Sequence, residues 1–102
     1  MYTLPGMIRS FGDKTTEDIY HGRSSKAALK ISRSLWPRIR SKLDLLEAAS
    51  TLNDLRVPPS NHLEALRGDL AGSYSIRVND QFRIVFLFEN GACDRVRVLD
   101  YH

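Results

Sequence analysis

The stretch "SYSIRVNDQFRIVFLFENG", residues 73–91, decides the fold of this 102-residue chain. Its side chains alternate with the period of two that is typical of half-buried β-strands. One face of the first strand carries Tyr74, Ile76 and Val78, and one face of the second carries Phe82, Ile84, Phe86 and Phe88. Asn79-Asp80 indicates a turn between them, and Asn90-Gly91 is a strong hairpin signal. The stretch therefore predicts an antiparallel hairpin with an apolar face.

Two flanking segments extend this sheet. The final strand, residues 94–101, alternates Val96 and Val98 with two arginines, and "LEALRGD" (63–69) predicts a short strand that ends at a Gly-Asp turn. An antiparallel sheet can bury one face and expose the other. We therefore expect the exposed face to display Arg77, Arg83, Arg95 and Arg97.

The N-terminal half reads as mainly helical. Apolar and polar residues alternate in "MIRSF" (7–11), which predicts a short first strand. A helix is predicted to begin at Asp13 and to end near His21-Gly22. Ser24-Ser25 can cap a second helical piece, "KAALK" (26–30).

The clearest helix runs from Leu35 to Ala49, with Pro37 in its first turn. Its apolar residues recur at helical spacing and form one stripe: Trp36, Ile39, Leu43 and Leu46. "RVPPSN" (56–61) cannot continue a helix. The predicted fold class is α+β: an N-terminal short strand and two to three helices pack on one face of a mainly antiparallel four- to five-stranded sheet.

Length and composition indicate one domain, residues 7–102, after a loose extension over residues 1–6. A single cysteine excludes an internal disulfide framework and fits a reducing compartment. The start "MYTLPG" lacks the features of a signal peptide, and the longest apolar run, residues 84–88, is too short to span a membrane. We expect a cytoplasmic protein with no membrane contact.

Positive charge is concentrated in one segment of the chain. Residues 23–42 contain seven Lys or Arg and no Asp or Glu, within a formal net charge of +3. A solvated helix face is one interpretation, although such faces usually mix signs. The other is a surface for a polyanion, where clustered cations contact backbone phosphates.

The chain ends in Asp100-Tyr101-His102, directly after a predicted strand. Together with the arginines of the sheet, these residues supply the functional groups that a metal-free ribonuclease needs. Such an enzyme needs a base for the 2′-OH, a cation for the pentavalent phosphate and an acid for the leaving 5′-oxygen. No cofactor is expected.

Three stretches carry a family resemblance: "MIRSFGDKTTEDIYHG", "NHLEALRGDLAGSYSIRVNDQFRIVFLFENG" and the closing "DYH". They resemble the HigB toxins of bacterial type II toxin–antitoxin systems, within the RelE/ParE superfamily. The resemblance implies a RelE-like fold and a ribosome-dependent endoribonuclease that cleaves translated mRNA and inhibits translation. It also implies a HigA-like helix-turn-helix antitoxin, which neutralises the toxin and brings the complex to operator DNA.

The resemblance also suggests site residues. Arg83 matches the strand arginine of the family, and Asp100, Tyr101 and His102 match its functional C-terminal residues. Some relatives carry His where this chain has Glu64. The general base therefore stays open among Glu64, His62, Tyr101 and His102.

The predicted RNA-binding residues are Arg67, Arg77, Lys26, Lys30, Arg38 and Lys42; Arg67 matches a family position that is usually Lys or Arg. An alternative function is a non-catalytic RNA- or antitoxin-binding module that acts in operon repression. In that case Arg83 could simply pair with Asp80 or Glu89, and Glu64 could pair with an arginine.

Strand alternation raises a difficulty for the C-terminal residues. Strict alternation places Asp100 and His102 on the helix-facing side, and only Tyr101 on the arginine side. We expect the strand to lose its regularity near its end.

Overall fold

The structure, a computed structural model, describes residues 7–101. The predicted extension at residues 1–6 and the terminal His102 lie outside the described residues. Helix α1 spans Lys14–Tyr20 and helix α2 spans Trp36–Ala48. The strands are β1 (Glu64–Ala65), β2 (Ser73–Arg77), β3 (Phe82–Glu89) and β4 (Ala92–Asp100).

The four strands form one antiparallel sheet in the order β1-β2-β3-β4. Tyr74 lies opposite Phe86 and Arg77 opposite Arg83, so the predicted hairpin has its predicted faces. The α+β class and the antiparallel sheet are confirmed.

The helices cover the apolar face of this sheet. The stripe on α2 is buried as predicted and packs with the central sheet residues Ile76, Ile84, Phe86 and Val96. Burying one such side chain contributes about 1.5–3 kcal/mol. This face is therefore closed, and any functional site must lie on the opposite face or at the sheet ends.

The predicted first strand at residues 7–11 is corrected by the structure. This segment makes two isolated parallel bridges to β4, from Ile8 to Cys93 and from Phe11 to Val96. Between these bridges β4 bulges at Arg95, whose φ is +53°. At this φ the backbone of Arg95 leaves the extended conformation of a strand, and the pairing of β4 with residues 7–11 is interrupted between the two bridges.

Two other elements are shorter than predicted. In the "KAALK" piece only Ala28–Lys30 is helical, as one 3-10 turn, so the described chain has two α-helices. The predicted strand at 63–69 is reduced to the two residues of β1. Gly68 has a φ of +65° and opens a 3-10 turn at Gly68–Leu70, which ends the pairing with β2.

Further 3-10 turns at Arg33–Leu35, Leu52–Arg56 and Pro59–Asn61 connect these elements. Within residues 7–101, no helix has the length and apolar character needed to cross a membrane.

Candidate functional site

A pocket of about 340 Å³ opens where β1, the turn between β2 and β3, and the end of β4 meet. It lies on the arginine side of the sheet, away from the helices. We call it the Arg83 pocket; its lining residues are His62, Glu64, Arg77, Asn79, Asp80, Arg83 and Tyr101.

Arg83 is held in a fixed position in this pocket. Its Nε donates to the Ser75 hydroxyl at 2.7 Å, and a terminal nitrogen donates to the His62 carbonyl. The same nitrogen lies 3.6 Å from the Glu64 carboxylate, and only 11% of the Arg83 side chain is exposed. Arg83 therefore pairs with Glu64, rather than with Asp80 or Glu89. These contacts fix the orientation of the planar guanidinium group, so its N–H donors point in one direction.

Tyr101 completes the pocket from the end of β4. Its backbone N–H donates to the Gln81 carbonyl at 2.7 Å, and its ring centroid lies 5.8 Å from the Arg83 guanidinium carbon. Aromatic rings at this distance attract cations. Tyr101 thus faces the arginines, as alternation predicts.

Asp100 lies outside the pocket, opposite Phe82 in the β3–β4 register. Its carboxylate accepts a hydrogen bond from the Gln81 amide at 3.0 Å. The expected loss of regularity at the end of the strand is wrong, since β4 stays paired with β3 through Asp100. The ladder holds because the backbone of Gln81 continues the pairing one residue further.

Two asparagines that are not among the predicted site residues support the site. Asn79 Oδ1 accepts from the N–H groups of Gln81 and Phe82, which fixes the turn between β2 and β3. Asn61 is fully buried and donates to the carbonyls of Leu55 and Val57. The Asn79-Asp80 turn was visible in the sequence, whereas nothing local marks Asn61.

A second cavity, of about 500 Å³, adjoins the first and shares Arg77, Asn79 and Asp80 with it. We call it the Lys42 cavity. Lys42 Nζ donates to Asn61 Oδ1 at 2.5 Å. Desolvation by burial, and then the nearby Arg38, lower the pKa of Lys42. The remaining lining residues are Arg38, Ser60 and Val78.

The other predicted RNA-binding residues lie elsewhere. Lys26 and Lys30 are exposed beside the 3-10 turn Ala28–Lys30, Arg67 is exposed before the turn Gly68–Leu70, and none of the three lines either cavity. The four sheet arginines do not form one cluster, because Arg95 and Arg97 line a separate cavity of about 380 Å³. Among residues 7–101, no group of three His, Cys, Asp or Glu is placed to hold a metal ion.

Comparison with known proteins gives one family. Residues 9–102 match the family described as the RelE-like toxin of type II toxin–antitoxin system HigB. Toxin HigB-1 of Vibrio cholerae serotype O1 is 40% identical over 85 residues, which cover 83% of this chain and 87% of that toxin. An uncharacterized protein of Haemophilus influenzae is 42% identical over 73 residues, covering 72% of this chain and 71% of that protein.

The fold is similar to that of solved toxin–antitoxin structures. A chain of the YoeB-YefM complex from Staphylococcus aureus superposes with a TM-score of 0.59 at 17% identity, covering 93% of this chain and 97% of that one. A heterotetrameric YoeB-YefM complex from the same organism gives a TM-score of 0.52 at 16% identity, with the same coverage.

Proposed function

The chain belongs to the HigB family of RelE-like toxins from type II toxin–antitoxin systems, and from this premise we propose that it is a metal-independent endoribonuclease. It cleaves translated mRNA on the ribosome, and thereby inhibits translation in the bacterial cytoplasm. The observation that supports this proposal is the Arg83 pocket. A nearly buried guanidinium stands there beside a carboxylate and a phenol, within one open site.

The proposed reaction needs three groups. The ribose 2′-oxygen attacks phosphorus and loses its proton to a base, while the bond from phosphorus to the 5′-oxygen breaks and an acid protonates that oxygen. The products are a 2′,3′-cyclic phosphate and a 5′-hydroxyl. The pentavalent phosphate between them carries extra negative charge, and Arg83 is the cation proposed to stabilise it.

Several residues can transfer the protons. Glu64 and His62 both line the pocket and can act as the base. Tyr101 can stack on a base or donate its hydroxyl, and His102, the next residue, suits the acid role because imidazole titrates near neutral pH. Asp100 is the third of the C-terminal candidate residues, although its carboxylate accepts a hydrogen bond from Gln81.

The partners follow from the family and the charge pattern. A HigA-like helix-turn-helix antitoxin neutralises the toxin, and the complex reaches operator DNA through the antitoxin. The exposed cations Lys26, Lys30 and Arg67 lie outside the pocket and are proposed to contact ribosomal RNA or mRNA phosphates. Arg77 lines the pocket, Arg38 and Lys42 line the adjoining cavity, and all three are proposed to contact the RNA near the cleaved bond.

Mapped cleavage of mRNA on programmed ribosomes tests the proposal. The purified chain should cut at defined positions, and Arg83→Ala should slow the cut by about 10²–10³-fold, equivalent to roughly 2.7–4 kcal/mol for a lost oxyanion donor. Arg83→Lys should recover part of the rate, since it keeps the charge but not the fork. Deleting His102 should also cause a severe loss.

Arg97→Ala is the matched control, because Arg97 is another sheet arginine but lines a different cavity. It should cleave at the wild-type rate. If the wild-type protein, expressed without its antitoxin, neither arrests growth nor cuts mRNA, the chain is a non-catalytic module and the proposal is wrong.

A further inference from the structure

The Lys42 cavity adjoins the Arg83 pocket but contains none of the groups proposed for the chemistry. We propose that it is a second phosphate subsite, which binds the RNA phosphate next to the one that is cleaved. This inference rests on the proposed function, because it assigns a place to the rest of the same RNA strand.

Lys42, one of the cations that line the cavity, is positioned by a buried polar residue. Asn61 is fully buried, and its amide nitrogen is anchored by the carbonyls of Leu55 and Val57. Its oxygen accepts the hydrogen bond from Lys42 Nζ. An amide is neutral, so this contact orients the ammonium group without cancelling its charge.

The cavity carries excess positive charge. Arg38, Lys42 and Arg77 all line it. Among the described residues, neither Arg38 nor Lys42 has a carboxylate within ion-pair distance, and Arg38 lies close enough to disfavour the charged form of Lys42. An anion placed between these side chains would relieve that repulsion.

Among the described residues that line the cavity, Asp80 has the only carboxylate, and this carboxylate is easily displaced. Asp80 pairs with Arg77, but its side chain is 95% exposed. Exposed ion pairs of this kind contribute little, because water screens both charges. An RNA phosphate can therefore replace Asp80 at Arg77 at little cost.

The shape and chemistry of the cavity favour RNA over an acidic protein segment. A docked helix needs apolar anchor pockets, whereas Val78 is the single hydrophobic residue that the described part of the chain contributes to this lining. The shared wall of Arg77, Asn79 and Asp80 makes the two cavities neighbours. An RNA strand that is cleaved beside Arg83 continues into an adjoining site. Each further nucleotide of this RNA brings one phosphate.

The test uses ribosomes programmed with synthetic mRNAs that carry one neutral methylphosphonate linkage, moved stepwise to either side of the cleaved bond. With wild-type protein, one position should slow cleavage by about tenfold, as expected for a lost hydrogen bond to a charged group. With Lys42→Gln, the same neutral linkage should cause little further loss, because its partner is already gone. Lys42→Arg should restore the sensitivity.

Arg56→Gln is the matched control: Arg56 is exposed and lines neither cavity. It should keep the full sensitivity of wild type. If Lys42→Gln also keeps the full sensitivity at every position, the subsite assignment is overturned.

A binding measurement separates this inference from the proposed function. If wild-type protein cuts no mRNA, the nuclease proposal fails, but binding of a labelled single-stranded RNA still reports on the cavity. Lys42→Gln should then lower the salt slope of binding by about 0.7, the value for one phosphate contact. An unchanged slope, together with weakened binding of the antitoxin, would assign the cavity to the protein partner and overturn the inference.

Discussion

The buried carboxylate of Asp18 holds the loop that follows α1 in place. Asp18 lies on α1 with its side chain fully buried, accepts from the Ser25 hydroxyl at 2.5 Å and pairs with Arg23 at 2.9 Å and Lys14 at 3.3 Å. The Ser25 hydrogen bond, followed by that of Arg23, lowers the pKa of Asp18 to about 2 from 3.8. The carboxylate thereby links α1 to Arg23 and Ser25, at the start of the positively charged residues 23–42.

Asp18→Asn should therefore destabilise the protein in a pH-dependent way. Because the pKa is lower in the folded state, the stabilisation is fully present above the unfolded value of 3.8 and is lost as pH falls through about 2. Urea unfolding at a series of pH values should show a gap between wild type and Asp18→Asn that closes over this window. The exposed turn variant Asp69→Asn is the control and should show no gap; a pH-independent gap for Asp18→Asn would contradict the prediction.

At the scale of elements, the edge of β4 is covered rather than left open. Exposed strand edges invite pairing with other chains. Here residues 7–12 bond to β4 through Met7, Arg9, Ser10 and Gly12, and the Thr16 hydroxyl of α1 accepts from the Val98 N–H at 2.8 Å. A Cβ at Gly12 would lie 2.9 Å from the Arg95 carbonyl oxygen, so only glycine allows this close approach.

Thr16→Val should cost about 1–3 kcal/mol of unfolding free energy, because it removes the hydroxyl that accepts from the Val98 N–H. Thr16 is fully buried, so water cannot replace the hydroxyl. Urea unfolding of Thr16→Val against Thr16→Ser, which keeps the oxygen, measures this cost. Equal stability of the two variants would show that the hydroxyl does not support the edge.

At the scale of the whole molecule, positive charge lies both in the pair of adjoining cavities and at exposed residues away from them, among them Lys26 and Lys30. The cavities are close to the proposed chemistry, whereas the lysines are not. We therefore expect the exposed lysines to serve ribosome binding rather than RNA cleavage, since attraction to a large polyanion needs only exposed charge.

Reversing Lys26 and Lys30 to Glu should weaken ribosome binding and flatten its salt dependence, with the fold intact. The control reverses the exposed Arg9 and Arg56, which produces the same net charge at other places. Binding measured over a salt series separates the two. An equal effect from both double variants would mean that net charge, not the position of these lysines, governs binding.

The sequence by itself determined the elements whose pattern is local. Alternation at residues 73–88 predicted β2 and β3 with their correct faces, and the stripe from Trp36 to Leu46 predicted α2. Periodicity is sufficient here because burying one face of a strand or helix depends only on the spacing of neighbouring residues. The resemblance likewise indicated the family, since it spans nearly the whole chain.

The tertiary structure alone decided which side chains meet. The bulge at Arg95 interrupts pairing with residues 7–11, Arg83 pairs with Glu64 from another strand, and Asn61 fixes a lysine 19 residues earlier. No periodic pattern in the sequence predicts these contacts, because each of them depends on how separate elements pack in space. The Lys42 cavity exists for the same reason: its walls come from α2, a 3-10 turn and the β2–β3 turn, and only packing of the sheet against the helix brings them together.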